Sequence, residues 1–416
     1  PRDILCPCRP HNGERHTGAS TATATRTFPG AMIYDHAGNQ PWQNRSDSGR
    51  VEEEPVNIGV VTEIKPDERR VALLPGAVAD LVHQGNAVFV QSGAGDGAGA
   101  PDESYEIAGA SVLGSAADVF DASELIVHVK EPQASEISML RPDHILFTYL
   151  HLAAYPDVAK GLVESHCTAI AFETVESDGH LPLLAPMSHI AGRLSTQVGA
   201  FYLMAPNGGM GLLLGGHAGV PPGQVVVIGA GAAGVNAIDV AIGLGAQVAV
   251  LDVDVDALER VQHRWGSRVV TDYSTRGSVM EWTARADLVI GAVLVAGDRA
   301  PIVVDRSMLP AMKKGAVMVD ISIDQGGCFE TSRETTHHDP IYVVDDVVHY
   351  AVGNIPGSVP HTSSRALSNA ILPYVHTLTN GVAEAVEIRP DLLPGVNVSK
   401  GIITNEAVAH GLSIDT

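Results

Sequence analysis

Apolar positions along the chain repeat with two periods, and the switches between them mark out an architecture. From Asn57 the segment NIGVVTE reads as a strand, and PGAVADLVHQG as an amphipathic helix. In that helix Pro75 occupies the first turn, Val78, Leu81 and Val82 share one face, and Gly85 closes the C-terminus. AVFVQSG returns as a strand and completes a βαβ unit. ASVLG, ELIVHVK and HILFTYL predict further strands. Strands that are apolar throughout, rather than alternating, belong to a parallel sheet buried on both faces.

A second α/β unit begins after the loop SDGHLPLLAPMS. A helix from about Ile190 to Leu203 leads through the Gly-rich stretch NGGMGLLLGGHAGVPPG into the strand QVVVIG. Strands are predicted next at AQVAVLD, SRVV, ADLVIGAV, GAVMVDI and IYVVD. After Pro360 a helix from about Ser363 to Leu378 carries the chain back to the first unit. The expected organisation is a discontinuous first domain, residues 56–182 and 361–416, with a second domain, 183–360, inserted into it. The first 55 residues sustain neither period and contain no apolar stretch of signal-peptide length. A disordered tail is expected there, and Val51 is a candidate alternative start.

Composition narrows the function classes. Apolar residues make up 45% of the 416 positions and charged residues 18%, as in a globular protein with a sizeable core. The formal charge of −22 argues against a nucleic-acid surface or an anionic membrane patch, because both need Lys and Arg. A soluble acidic surface and a salt-adapted host both account for it. Cys6, Cys8, Cys167 and Cys328 show no repeated C-x-x-C spacing, so a reducing compartment, the cytoplasm, is expected. Val225–Leu251 is apolar enough for a membrane span, but its five glycines, Asn236 and Asp239 split it into strand, turn, helix and strand. The histidines show no ligand spacing, and no metal is expected.

VVVIGAGAAG places Gly229, Gly231 and Gly234 in G-x-G-x-x-G spacing directly after a β-branched strand. A second strand ends in Asp252, 18 residues past Gly234, which is the context of a dinucleotide fingerprint. Gly229 permits the tight turn, Gly231 lets a pyrophosphate approach the backbone at Ala230, and Gly234 lets helix and strand pack closely. Asp252 accepts from ribose hydroxyls and repels a 2′-phosphate, so NAD rather than NADP is expected. The fold class is therefore α/β, with two Rossmann-like doubly wound parallel-sheet domains.

In such sheets function gathers beyond the carboxyl ends of the strands. Arg70, Lys130, His151 and Asp324 all fall there. Singly, each has a bland alternative: a solvated charge for the cations, a strand-end hydrogen bond for His151, a loop cap for Asp324. Together they would present two cations, an imidazole and a carboxylate to a small anionic substrate.

Seven blocks resemble the alanine dehydrogenase family, which shares its fold with the NAD-binding subunit of proton-translocating transhydrogenase. They are TEIKPDERRV from Thr62, VKEP from Val129, FTYLHLAA from Phe147, LLAPMS from Leu183, VVIGAGAAG from Val226, DISIDQGG from Asp320 and NIPGSVP from Asn354. The resemblance covers Asn57 to the C-terminus. It implies reversible oxidation of L-alanine to pyruvate and ammonia by a homohexamer. By resemblance, Arg70 and Lys130 hold the substrate carboxylate and carbonyl oxygen, and Tyr149 lines the pocket. His151 is the acid/base, and Asp324 handles water or ammonia. Ser188, Asn354, Asp252 and the Gly229 loop hold NAD. Three departures stand out: His189 where Glu is usual, Ile355 where Met is usual, and His217–Ala218 for a Val-Pro pair; Ile355 and His189 are expected to border the cofactor. A transhydrogenase-like subunit, a dehydrogenase of another small amino acid and a catalytically idle NAD sensor are the alternatives. DQGG, together with the lack of an appended membrane segment, favours the dehydrogenase.

Overall fold

The computed structural model describes residues 56–294 and 299–412. The expected disordered tail, Val51, Cys6 and Cys8 lie outside the described residues.

Two sheets organise the chain. The first is built from β1 (Asn57–Val60), β2 (Ala87–Gln91), β3 (Ser111–Leu113), β4 (Leu125–Val127), β5 (Ile145–Thr148) and β6 (Thr168–Ala171). The second contains β7 (Gln224–Ile228), β8 (Gln247–Asp252), β9 (Val269–Tyr273), β10 (Leu288–Gly291), β11 (Val317–Asp320), β12 (Ile341–Val344) and β13 (Val347–Tyr350). Two late strands, β14 (Val396–Ser399) and β15 (Ile402–Ile403), return to the first sheet. The spatial orders are β15-β14-β6-β5-β4-β1-β2-β3 and β12-β13-β11-β10-β7-β8-β9. Six strands of each sheet run parallel, and the order reverses between β1 and β4 and between β7 and β10. Those two reversals are switch points, where the crossover helices diverge and leave a crevice above the strand ends.

The expected strands are present, and the central ones, such as β4, β7, β10 and β11, are buried on both faces, whereas β2, β3 and β9 toward the edges are only partly buried. In β7, Val225, Val226, Val227 and Ile228 are at most 1% exposed, worth at most ~1.5–3 kcal/mol each. Val225–Leu251 is divided among β7, the helix Ala232–Gly243 and β8. Among the described residues no helix is long and apolar enough to cross a membrane.

Three local expectations need correction. The helix placed from Ile190 begins at Ala185 and ends at Tyr202, because Pro186 is tolerated in a first turn that needs no N–H. IYVVD is a strand as expected, β12, but it pairs antiparallel with β13, and β13 continues the parallel order. Asp345 and Asp346, at φ 47° and 64°, make the reversal between them, the left-handed pair that a two-residue hairpin turn requires. At the other sheet's edge, β14 and β15 are antiparallel strands that no apolar run announced.

The long helix Ala185–Tyr202 ties the two sheets together. Its first turn packs in the core of the first sheet through Met187 and Ile190, and its later residues in that of the second. Gly192 allows this: a Cβ there would lie 2.0 Å from the Ala233 carbonyl oxygen.

Candidate active site

The crevices above both switch points open into one cavity of about 770 Å³. Arg70, Lys130, Tyr149 and His151 line it from the first sheet, and Ser188 from the long helix. Ala233, Ala292, Asp324 and Asn354 line it from the second.

Arg70 is 2% exposed and held by neighbours on two sides. Its Nε donates to Glu68 Oε1 at 2.7 Å, its Nη2 pairs with Glu68 Oε2, and Nη2 also donates to Asn354 Oδ1 at 2.6 Å. Burial would raise the Glu68 carboxyl, but Arg70 and the Asn354 amide override it and hold the group down at about 2. Nη1 donates to Met187 Sδ at 3.1 Å. The guanidinium is therefore fixed in direction and largely neutralised. Lys130 is different: it is 5% exposed, and its ammonium has no hydrogen-bond or ion-pair partner among the described residues. Its ammonium is thus a cation without a direct counter-ion among them.

His151 lies just past β5 with φ 47°, a left-handed conformation uncommon outside glycine. Glu173, just past β6, holds it there by accepting from the His151 N–H at 2.6 Å and the Leu150 N–H at 3.2 Å. The imidazole stacks on Tyr149, with centroids 6.0 Å apart and planes 4° apart. Tyr149 spends its hydroxyl on the Leu183 carbonyl at 2.6 Å, and burial raises its pKa, so it is a neutral wall. Asp324 sits in a single helical turn, Ile323–Gln325, and Oδ1 accepts from the Asn354 N–H at 3.0 Å.

The helix after the Gly-rich loop reaches the cavity at Ala233, whereas Gly229, Ala230, Gly231, Gly234 and Asp252 are not among its lining residues. Gly229 has φ 105°, and a Cβ on Gly234 would lie 1.8 Å from the Gly229 carbonyl oxygen. A Cβ on Gly231 would meet nothing within 4 Å. The helix Ala232–Gly243 starts at Gly231 without a side-chain cap, so its N–H groups face open space. A helix start of this kind can accept a phosphate. Asp252 Oδ2 accepts from the Ala230 N–H at 2.5 Å and Oδ1 from the Asp254 N–H at 2.8 Å. The carboxylate thus braces the loop that it flanks. These residues fit a dinucleotide.

Sequence reasoning missed Glu68, Glu173, Met187 and His410. Glu68 and Glu173 stand beyond strand ends like Arg70 and His151, but in the sequence nothing separates them from surface carboxylates. Met187 and His410 also line the cavity, and His410, from the last helix Glu406–Gly411, gave no signal. Of the three departures, Ile355 lines the cavity and His189 does not. His217 is exposed in a hairpin with Val220. Among the described residues no cluster of His, Cys, Asp and Glu is arranged to hold a metal.

Two doubly wound sheets sharing one cleft, with an uncapped helix N-terminus at one end and cations at the other, define a two-domain dehydrogenase architecture. Residues 59–191 match the alanine dehydrogenase/PNT N-terminal domain, and residues 195–406 its C-terminal domain. The chain belongs to the alanine dehydrogenase/PNT family. It is 48% identical over 359 residues to an alanine dehydrogenase of Mycolicibacterium smegmatis, covering 86% of this chain and 97% of that protein. A solved L-alanine dehydrogenase superposes with a TM-score of 0.82 at 47% identity, covering 86% of this chain and 99% of that one. A transhydrogenase of Sinorhizobium meliloti gives 0.71 at 27% identity, covering 84% and 99%.

Proposed function

We propose that this protein is an NAD-dependent L-alanine dehydrogenase. The observation that carries the reading is the single cavity running from Arg70 and Lys130, past His151 and Asp324, to the uncapped helix N-terminus at Ala233. The reaction is L-alanine + NAD⁺ + water ⇌ pyruvate + ammonium + NADH + H⁺.

Bound NAD supplies the hydride acceptor, held by the Gly229, Ala230, Gly231 and Gly234 loop, Asp252 and Ser188. Arg70 orients the substrate carboxylate, and Lys130, whose ammonium no side chain among the described residues pairs, captures it and polarises the carbonyl oxygen. Once the substrate is an imine, water adds to its carbon, and His151 takes the proton that the water loses. His151 returns that proton as the carbinolamine collapses and ammonia leaves. Asp324 holds the water or ammonia. Asn354, already bonded to Arg70, Glu68 and Asp324, links the substrate and cofactor ends. On this reading residues 56–182 with 361–416 form the substrate domain and 183–360 the NAD domain.

A homo-oligomer, a hexamer by resemblance, fits the apolar side chains Phe201, Met204, Leu213 and Val220, all at least 44% exposed. Two buried free thiols, Cys167 and Cys328, suit a reducing cytoplasm. The test is NADH absorbance with a panel of 2-oxo acids plus ammonium, and of amino acids plus NAD. Turnover is expected with pyruvate and with L-alanine. Reduction of a second nucleotide without any amino acid would instead support a transhydrogenase-like role, and no turnover with any pair would overturn the proposal.

A further inference from the structure

Behind Lys130 lies a buried array that the proposed chemistry does not use. His128 is 1% exposed, with Nδ1 3.0 Å from Glu63 Oε1 and Nε2 3.0 Å from Glu136 Oε1. Glu63 reaches from just past β1 across the switch point to β4. It accepts from the Val129 N–H at 2.6 Å and the Lys130 N–H at 3.2 Å. The Lys130 carbonyl accepts from Thr148 Oγ1 at 2.8 Å, so its backbone is held on both sides. Glu136 is anchored in turn by the Gln133 N–H at 2.7 Å.

We propose that His128 is a positioning residue for Lys130: as a cation between two buried carboxylates, it keeps Glu63 ionised, and Glu63 fixes the backbone from which Lys130 enters the cavity. The inference rests on the substrate-binding role proposed for Lys130.

The chemistry requires such a counter-charge. Burial raises the Glu63 carboxyl, Glu68 adds to that rise, and His128 opposes it. Without the imidazolium, Glu63 would be pushed further toward its neutral form, in which one of the two oxygens that accept from the Val129 and Lys130 N–H groups carries a proton. Burial likewise disfavours a charged His128, but Glu63 and Glu136 outweigh it and hold the imidazole well above the ordinary histidine range. Arg70, Glu68, Glu63, His128 and Glu136 are together one charge short of neutral. Lys130 supplies that charge, so an arriving carboxylate meets a cluster whose only unpaired member is the ammonium.

The test uses the full-length protein and four variants, Glu63→Gln, His128→Gln, the double variant and His128→Lys, with Lys130→Met as reference. Pyruvate kinetics, NADH affinity by fluorescence and melting temperature are measured for each. Both single glutamine variants are expected to lower kcat/KM for pyruvate on the order of 10-fold while NADH affinity holds. The double variant should be no worse than the worse single one, because both act along one path. His128→Lys should recover most of the loss by restoring a cation. Should His128→Gln fail to fold, Glu63→Gln decides, since its loss of kcat/KM at parental NADH affinity tests the same path. Multiplicative losses in the double variant, or NADH affinity falling in parallel, would overturn the inference. So would parental kinetics in both single variants alongside an impaired Lys130→Met. Parental pyruvate kinetics in Lys130→Met would instead remove the role of Lys130 itself, and the inference with it.

Discussion

Gly234→Ala and Gly231→Ala add the same methyl group to the same loop, and the structure assigns them opposite costs. At Gly234 the new carbon would lie 1.8 Å from the Gly229 carbonyl oxygen and 2.9 Å from its carbon. Both are backbone atoms, so the helix and the loop must part by roughly 1 Å in a close-packed core. Overpacking of this kind costs ~1–3 kcal/mol, and improved helix propensity returns at most about 1 kcal/mol. At Gly231 the methyl meets no protein atom within 4 Å, and its φ of −74° suits any residue. There the methyl instead occupies the approach to the helix N-terminus. Gly234→Ala is therefore expected to lower the denaturation midpoint and weaken NADH binding together. Gly231→Ala should keep the parental midpoint but weaken NADH binding on the order of 10-fold or more, as charge-assisted hydrogen bonds lengthen. Urea denaturation and NADH fluorescence titration measure the two effects separately. Parental NADH affinity in Gly231→Ala would refute the assignment of this loop as the phosphate cradle.

His151→Gln keeps a polar side chain that cannot titrate; kcat is expected to fall ~10²–10⁴-fold with NADH affinity retained, whereas Arg70→Gln should mainly raise the KM of pyruvate and alanine. Steady-state kinetics distinguish the two. Asp252→Gly should weaken NAD binding more than NADP binding, read by parallel titrations, because it removes both the ribose acceptor and the repulsion of a 2′-phosphate. Glu68 is depressed to about 2 in the folded protein, so its contribution is complete above an unfolded pKa of ~4.3 and is lost as pH falls toward 2. That is on the order of 2–3 kcal/mol. Glu68→Gln should therefore be less stable at pH 7 and show a flatter decline on acidification, measured by urea midpoints between pH 7 and 3.

The parts of the fold read from sequence were those where one local signal suffices. Val225–Ile228 is apolar on both faces because helices cover both faces, and the glycine spacing after it follows from the turn. Arg70, Lys130, His151 and Asp324 were found by position alone, since each follows a strand that was itself legible. What escaped depends on pairing between distant segments. The Asp345–Asp346 reversal carries no glycine, so one apolar run concealed a hairpin. β14 and β15 take their place by pairing beside β6, more than 200 residues earlier. Glu68 and Glu173 resemble any surface carboxylate until Arg70 and the left-handed His151 are seen to need them.

Asn354 joins the two halves of the cleft. With φ 57°, it presents its side chain to Arg70 and Glu68 and its own N–H to Asp324. The strands β1 and β13 that lead to these groups belong to different sheets. Separating the sheets at this edge therefore breaks the Asn354 bonds to Arg70 and Glu68, while the Asn354–Asp324 bond stays with the second sheet and the Arg70–Glu68 pair stays with the first.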